Sequence, residues 1–251
     1  MFDFSGKNIL VTGASSGIGK ACAEYLDSCG ARMILVARRK ERLEKLAEGL
    51  GPETLSIPCD FGDVEHIGSV FEKLGSENIK LDGLLHSAGE APIIPVSRFD
   101  YPNALKTFNV NFFSFCEIIR YCSKKRYMNN NAAVVIVSAI SVITGHKAQG
   151  TYVATKSALE SYMRIAAKEL VDKGIRLNAI RPAGVNTPMS YDPDLVTEEY
   201  REYMKSVQKL GMIEPVELAK TTAFLLSDDS RYMSGLSIPV DAGLLYCSGE
   251  F

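Results

Sequence analysis

The chain has 251 residues, a formal net charge of −2 and 46% hydrophobic residues, which fits one α/β domain with a sizeable core. The near-neutral balance argues against nucleic-acid binding, which needs a basic face. The six cysteines (Cys22, Cys29, Cys59, Cys116, Cys122 and Cys247) form no C-x-x-C pair and no metal-ligand spacing with the three histidines, so reduced thiols and no metal are expected.

Apolar runs near 7–11, 32–37, 54–58, 81–86, 133–138, 175–180 and 236–240 predict seven short strands. They are apolar at consecutive positions, as strands buried on both faces should be. Helix patterns fall between them, near 17–28, 39–50, 63–74, 102–127, 151–172 and 214–227. This alternation predicts an α/β fold, a doubly wound parallel sheet flanked by helices, in a single domain over 1–251. Asn129, Asn130 and Asn131 read as a turn before the fifth strand. The longest largely apolar run, 132–143, is too short to cross a bilayer and contains Ser138 and Ser141. The first strand begins within a few residues of Met1, so no signal peptide and a cytoplasmic location are expected. The least regular segment, 186–211, carries Pro188, Pro193 and a charged helical stretch. In such a sheet it stands above the ligand crevice and is a candidate substrate lid.

Two local motifs carry chemistry. After the first strand comes Gly13-Ala14-Ser15-Ser16-Gly17-Ile18-Gly19, followed by a helix. Glycines there permit a tight turn and let backbone N–H groups approach a pyrophosphate at the helix N-terminus, although a purely structural turn has the same form. Far downstream, Tyr152 and Lys156 stand four apart at the start of a predicted helix, on one face. A cation near a phenol stabilises the phenolate, and a tyrosine tuned this way can exchange a proton with an alcohol or carbonyl oxygen. Alone, such a pair also occurs on solvated helices.

Together the motifs resemble the short-chain dehydrogenase/reductase family, nearly end to end. Thr12 to Gly19 match T-G-x-x-x-G-I-G, and Tyr152 to Lys156 match Y-x-x-x-K. His86-Ser87-Ala88-Gly89 is similar to N-N-A-G, and Asn111 matches the asparagine of N-V-x-G. Asn178 to Pro182 and Met233 to Gly243 resemble the segments around the last two strands. The resemblance implies a Rossmann-type fold and an oxidoreductase that interconverts a ketone and a secondary alcohol. Tyr152 would be its acid/base, and Lys156 would hold the nicotinamide ribose and lower the tyrosine pKa. Asn111 would hold a relay water, or else brace a helix kink. Cofactor contacts would come from Gly13, Ser15, Ser16, Gly17, Ile18, Gly19, Asp60, Phe61, Ala88, Gly89, Pro182, Val185 and Thr187. Asp60 reads equally as a helix cap.

The end of the second strand bears Ala37, Arg38 and Arg39 in place of a ribose-binding carboxylate. An arginine there can pair with a 2′-phosphate, so NADP(H) is the expected cofactor. The family's substrate-orienting serine falls at Ala139, a departure. Side-chain alternation along an extended strand would turn Ser141 the same way, so Ser141 is the favoured surrogate; Ser138, or no serine, are the alternatives. A cofactor-binding sensor or assembly subunit with weak or lost catalysis is therefore the alternative function. The resemblance and the apolar segments 105–122 and 152–170 imply a homotetramer, or failing that a homodimer.

Overall fold

The computed structural model describes residues 2–192 and 196–247. Its core is a seven-stranded parallel sheet: β1 Asn8–Thr12, β2 Arg32–Ala37, β3 Leu55–Pro58, β4 Leu81–His86, β5 Met128–Val137, β6 Arg176–Pro182 and β7 Ser237–Val240. Their order across the sheet is β3-β2-β1-β4-β5-β6-β7. The chain winds outward in one direction through β3 and in the other through β7, so the order reverses between β1 and β4. In sheets of this kind ligands bind beyond the strand C-termini at that switch point.

Helices cover both faces and divide the core in two. On one face α3 (Gly68–Ser76), α5 (Ser114–Cys122) and α7 (Gly150–Leu170) bury Phe71, Phe115, Leu159 and Met163 against the sheet. On the other, α1 (Gly17–Ser28), α2 (Lys40–Ala47) and α9 (Pro215–Leu226) bury Leu26, Leu43 and Leu218. Arg176 of β6 fixes the far end of α9. Its guanidinium donates to the carbonyl oxygens of Leu225 in the last turn and of Ser227 and Ser230 just beyond it.

Three local expectations are corrected. Asn129 to Asn131 belong to β5 rather than to a turn before it. Asn131 sits at φ 63° and the β4–β5 register shifts between Leu81 and Gly83, so the turn chemistry is spent on a bulge. The helix expected over 102–127 is three pieces: α4 (Tyr101–Phe108), a π turn Asn109–Phe113, and α5, which stops at Cys122. A π turn inserts one residue into a continuing helix, and with apolar residues on more than one face of 105–122 the sequence pattern hides the shift. Finally, the extended chain ends at Val137, and Ser141 begins a short helix, α6 (Ser141–Thr144). The strand alternation used to orient Ser141 therefore does not apply.

Candidate active site

The glycine-rich loop leaves β1 at Gly13, whose φ of +67° puts it in the region glycine favours. A Cβ there would lie 2.8 Å from the Ala88 backbone nitrogen, so loop and β4 end touch through backbone. Thr12 stitches the same junction. Its hydroxyl accepts from the backbone N–H groups of Ser87 and Ala88, both at 3.1 Å, and hydrogen-bonds His86 Nδ1 at 3.1 Å. With two N–H groups already donating to Thr12, its own proton goes to Nδ1, which leaves the His86 proton on Nε2. Nε2 is buried without a partner. Burial, reinforced by the Lys156 charge, pushes the His86 pKa down to about 3, so the ring is neutral.

Ser16, in extended conformation, precedes α1 without capping it through its side chain, so the first N–H groups of α1 face the crevice. Gly19 packs on the loop: a Cβ there would meet Gly13 O at 2.5 Å. Gly17, at φ +55°, faces Thr187 Cγ2, which would stand 3.4 Å from an added Cβ. Ile18 is half-buried beside this turn. Arg39, not Arg38, turns onto the loop. Both arginines are exposed, but the Arg39 Nη2 donates to the hydroxyls of Ser15 and Ser16, each at 3.0 Å. Asp60 is exposed and accepts from the Gly62 N–H at 2.9 Å, a local turn rather than a helix cap, and the neighbouring Phe61 is buried.

Tyr152 occupies the first turn of α7, and Lys156 lies one turn on with its Nζ 5.9 Å from the Tyr152 ring centroid. Lys156 is buried; its Nζ donates to Val137 O at 2.7 Å and would be 3.3 Å from a Cβ on Gly89. Burial pushes its pKa down to about 8, against a raising influence from Glu160. The Tyr152 phenol moves opposite to the sequence expectation. Burial, with the nearby Tyr200 phenol adding to it, pushes the pKa above its ordinary value. Removing the phenolate from water is the leading cause, and the Lys156 ammonium is engaged by the Val137 carbonyl.

Asn111, fully buried in the π turn, ties this corner together. Its Nδ2 donates to Glu90 O at 2.9 Å and Thr155 Oγ1 at 3.0 Å, and its Oδ1 accepts from the Glu90 N–H at 2.8 Å. Its amide protons thus brace the kink and join it to α7. Ser114, where the family often has glycine, donates to Val110 O at 2.6 Å within the same distorted turn.

Sequence reasoning missed Glu160. It lies four residues beyond Lys156 on the same face of α7, and that spacing was the available signal. Its buried carboxylate accepts from Ser138 Oγ at 2.6 Å, Ser237 Oγ at 2.9 Å and the Arg181 guanidinium. Burial alone would raise its pKa, yet these donors hold it below the ordinary value. Ser138 is therefore committed to Glu160. Ser141, by contrast, is buried with an unpartnered Oγ, while Ala139 is buried as a methyl.

The segment after β6 returns to the crevice. Ile140 N–H donates to Pro182 O at 2.9 Å, and Val185 pairs with Ile213. Helix α8 (Glu198–Val207) buries Met204, and Gln208 just beyond it clasps Gly184: its Oε1 accepts from the Gly184 N–H at 2.8 Å and its Nε2 donates to Gly184 O at 3.1 Å. Of the expected lid 186–211, Pro193 and residues 194–195 lie outside the described residues. Among the described residues no group of His, Cys, Asp and Glu side chains could hold a metal, and no helix is long and apolar enough to cross a membrane.

Comparison with known proteins agrees with this geometry. A family model described as enoyl-(acyl carrier protein) reductase matches residues 13–245. The 3-oxoacyl-[acyl-carrier-protein] reductase FabG of Thermotoga maritima is 32% identical over 96% of this chain and 98% of its own. A diacetyl reductase [(S)-acetoin forming] of Staphylococcus epidermidis is 31% identical over 96% of this chain and 99% of its own. In fold, the chain superimposes on a short-chain dehydrogenase/reductase from Serratia marcescens with a TM-score of 0.88 at 23% identity, covering 96% and 98% of the two chains. A 3-ketoacyl-(acyl-carrier-protein) reductase from Brucella melitensis, complexed with NADH, gives 0.86 at 23% identity over 96% and 99%. With a family model spanning nearly the whole chain and relatives above 30% identity over its length, the chain belongs to the short-chain dehydrogenase/reductase family, oxidoreductases that bind a nicotinamide cofactor and act on CH–OH and C=O groups.

Proposed function

We propose that this protein is an NADP(H)-dependent oxidoreductase that interconverts a ketone and a secondary alcohol. One observation carries the reading: Tyr152 and Lys156 share the first turns of α7 beside Gly89, at the switch point where the glycine-rich loop opens. The loop fits a dinucleotide. Gly13, Gly17 and Gly19 leave no side chain between the crevice and the uncapped N-terminus of α1, which suits a diphosphate. Thr187 borders it at Gly17, and by the family resemblance Val185 would join it while Asp60 and Phe61 would take the adenine end. The nicotinamide, when bound, supplies the hydride to the carbonyl carbon. A protonated phenol at Tyr152 would donate to the carbonyl oxygen, and Lys156, beside Gly89, would hold the nicotinamide ribose. The names of two relatives, a 3-oxoacyl reductase and a diacetyl reductase, denote carbonyl reductions of this kind. A ketone panel followed by NADPH absorbance tests the reading; NADPH binding with no ketone reduced would favour the cofactor-binding alternative, which Ala139 motivates.

The 2′-phosphate would rest between Arg39 and Ser15. Arg39→Asp should weaken NADPH by about 10–100-fold, the worth of one charge-assisted hydrogen bond, and leave NADH nearly unchanged. Arg38→Asp should do less. Direct titration in which wild type prefers NADH would refute the assignment. Ser141, with its buried unpaired hydroxyl, would orient the substrate oxygen. Ser141→Ala should lower kcat/KM roughly 10-fold, whereas Ser138→Ala should act mainly on thermal stability through Glu160. Equal kinetic effects of the two variants would count against this division.

The assembly would be a homotetramer, or a homodimer. Leu105, Phe113, Tyr162 and Ile165 on α4, the π turn and α7 stay 37–53% exposed, so the lid does not cover this apolar surface. Light scattering at micromolar concentration should exceed the monomer mass; a monomer would exclude the assembly. With all six cysteines free, the thiols suit a reducing, cytoplasmic setting.

A further inference from the structure

Residues 182–187 join the two ends of the crevice. At one end Pro182 O accepts from the Ile140 N–H, next to Ser141; at the other, Thr187 Cγ2 stands against Gly17 of the glycine-rich loop. With a diphosphate at the loop and the reacting carbonyl at Tyr152, the nicotinamide would lie along the stretch between them. Gly184 is in the middle of that stretch, and one buried side chain grips it. Gln208 is 1% exposed. Its amide has a single orientation that satisfies its neighbours: Oε1 must face the Gly184 N–H, at 2.8 Å, and Nε2 then donates to Gly184 O at 3.1 Å and Gly211 O at 3.3 Å. Both backbone polar groups of Gly184 are thus held by one amide. The fit needs glycine, because a Cβ on Gly184 would lie 2.5 Å from Gln208 Oε1 and 3.1 Å from Met212 Cε. Val185 meets Ile213 in an isolated bridge rather than a ladder, so the amide carries much of the hold on this segment. Gln208 also closes α8, whose buried Met204 would bring its Cε to 3.4 Å from the same Cβ.

We propose that Gln208 is a positioning residue for the nicotinamide. From the end of α8 it fixes the backbone at 183–185, the wall of the nicotinamide half of the crevice, and so ties the candidate lid to the cofactor site. It touches no reacting atom and acts through Gly184 and Val185. Without it the Gly184 N–H loses its partner and the wall can shift, at a cost to ring placement. The adenosine half, which would rest on the glycine-rich loop and Arg39, has no contact with Gln208 and keeps its hold.

This rests on the NADP(H) reading, and binding rather than turnover tests it. The probes are NADPH and 2′,5′-ADP, which carries the adenosine and the 2′-phosphate but no nicotinamide. In titration calorimetry, Gln208→Leu should weaken NADPH by about 10-fold, the worth of one or two net hydrogen bonds, and leave 2′,5′-ADP unchanged. At saturation, the fluorescence anisotropy of the bound reduced nicotinamide should fall. Gly184→Ala crowds the same amide from the other side and should give the same split, which keeps the test available if the leucine variant does not fold. If NADPH and 2′,5′-ADP weaken alike, or if only the melting temperature falls, Gln208 is a structural clasp and the proposal is overturned. NADH and 5′-AMP, titrated alongside, separate the two readings. A split seen only in that pair overturns the NADP(H) assignment and supports the positioning role. A wild type that binds neither pair overturns both.

Discussion

Tyr152→Phe is expected to lower kcat by about 10²-fold or more while NADPH still binds, because the ring is kept and only the exchangeable proton is lost. The reasoning is geometric before it is electrostatic. Tyr152 and Lys156 occupy successive turns of α7, and the Lys156 ammonium is pinned between Val137 O and the Gly89 backbone. A phenol is protonated across the neutral range, and burial moves its pKa further up, so in the reductive direction the proton is present. The oxidative direction needs the phenolate. Alcohol oxidation by the wild type should therefore keep rising with pH, and ketone reduction should not. Single-turnover measurements with NADPH and with NADP⁺ separate the two. A Tyr152→Phe variant with wild-type kcat would remove Tyr152 from the acid/base role.

The second large effect is expected at Gly19. Its added Cβ would lie 2.5 Å from Gly13 O and 2.8 Å from Gly13 C, both backbone atoms that no rotamer change can move. Gly19→Val forces α1 away from the turn that starts it, at a cost of about 1–3 kcal/mol of overpacking. The same shift misplaces the N–H groups at the head of α1. Losing two charge-assisted hydrogen bonds to a diphosphate, at roughly 1.5–3 kcal/mol each, weakens cofactor binding by 10²-fold or more. Gly145→Ala is the contrasting control: nothing lies within 4 Å of an added Cβ there, although its φ of +65° still strains a side chain. Thermal melts and NADPH titrations of the two variants should diverge. Unchanged NADPH affinity in Gly19→Val would exclude the loop as the diphosphate cradle.

Much of the fold was legible because its signals are local. Seven apolar runs, each too short for a helix and bounded by polar turns, needed no tertiary information to be read as buried strands. The loop from Gly13 to Gly19 announced itself because glycine suits the positive φ of Gly13 and Gly17 and the close backbone approach at Gly13 and Gly19. Tyr152 and Lys156 were readable because helical spacing puts residues four apart on one face.

What the sequence alone did not determine depends on contacts between distant segments. Whether Arg38 or Arg39 turns to Ser15 depends on where α2 begins relative to the loop, across more than twenty residues. The fate of Ser138 depends on Glu160, and the free hydroxyl of Ser141 on a change from strand to helix after Val137. The direction of the Tyr152 shift was misread for the same reason. Proximity to Lys156 follows from helical spacing, but desolvation is set by everything packed around the phenol, and burial, with an electrostatic contribution from Tyr200, pushes the pKa up. The sequence by itself determined the strand order's raw material, the glycine-rich loop and the Tyr–Lys face; only the tertiary structure decided that Ser138 is engaged by Glu160, that Ser141 is left unpaired and that Arg39 meets the loop, because burial and hydrogen-bond partnership are properties of the assembled core.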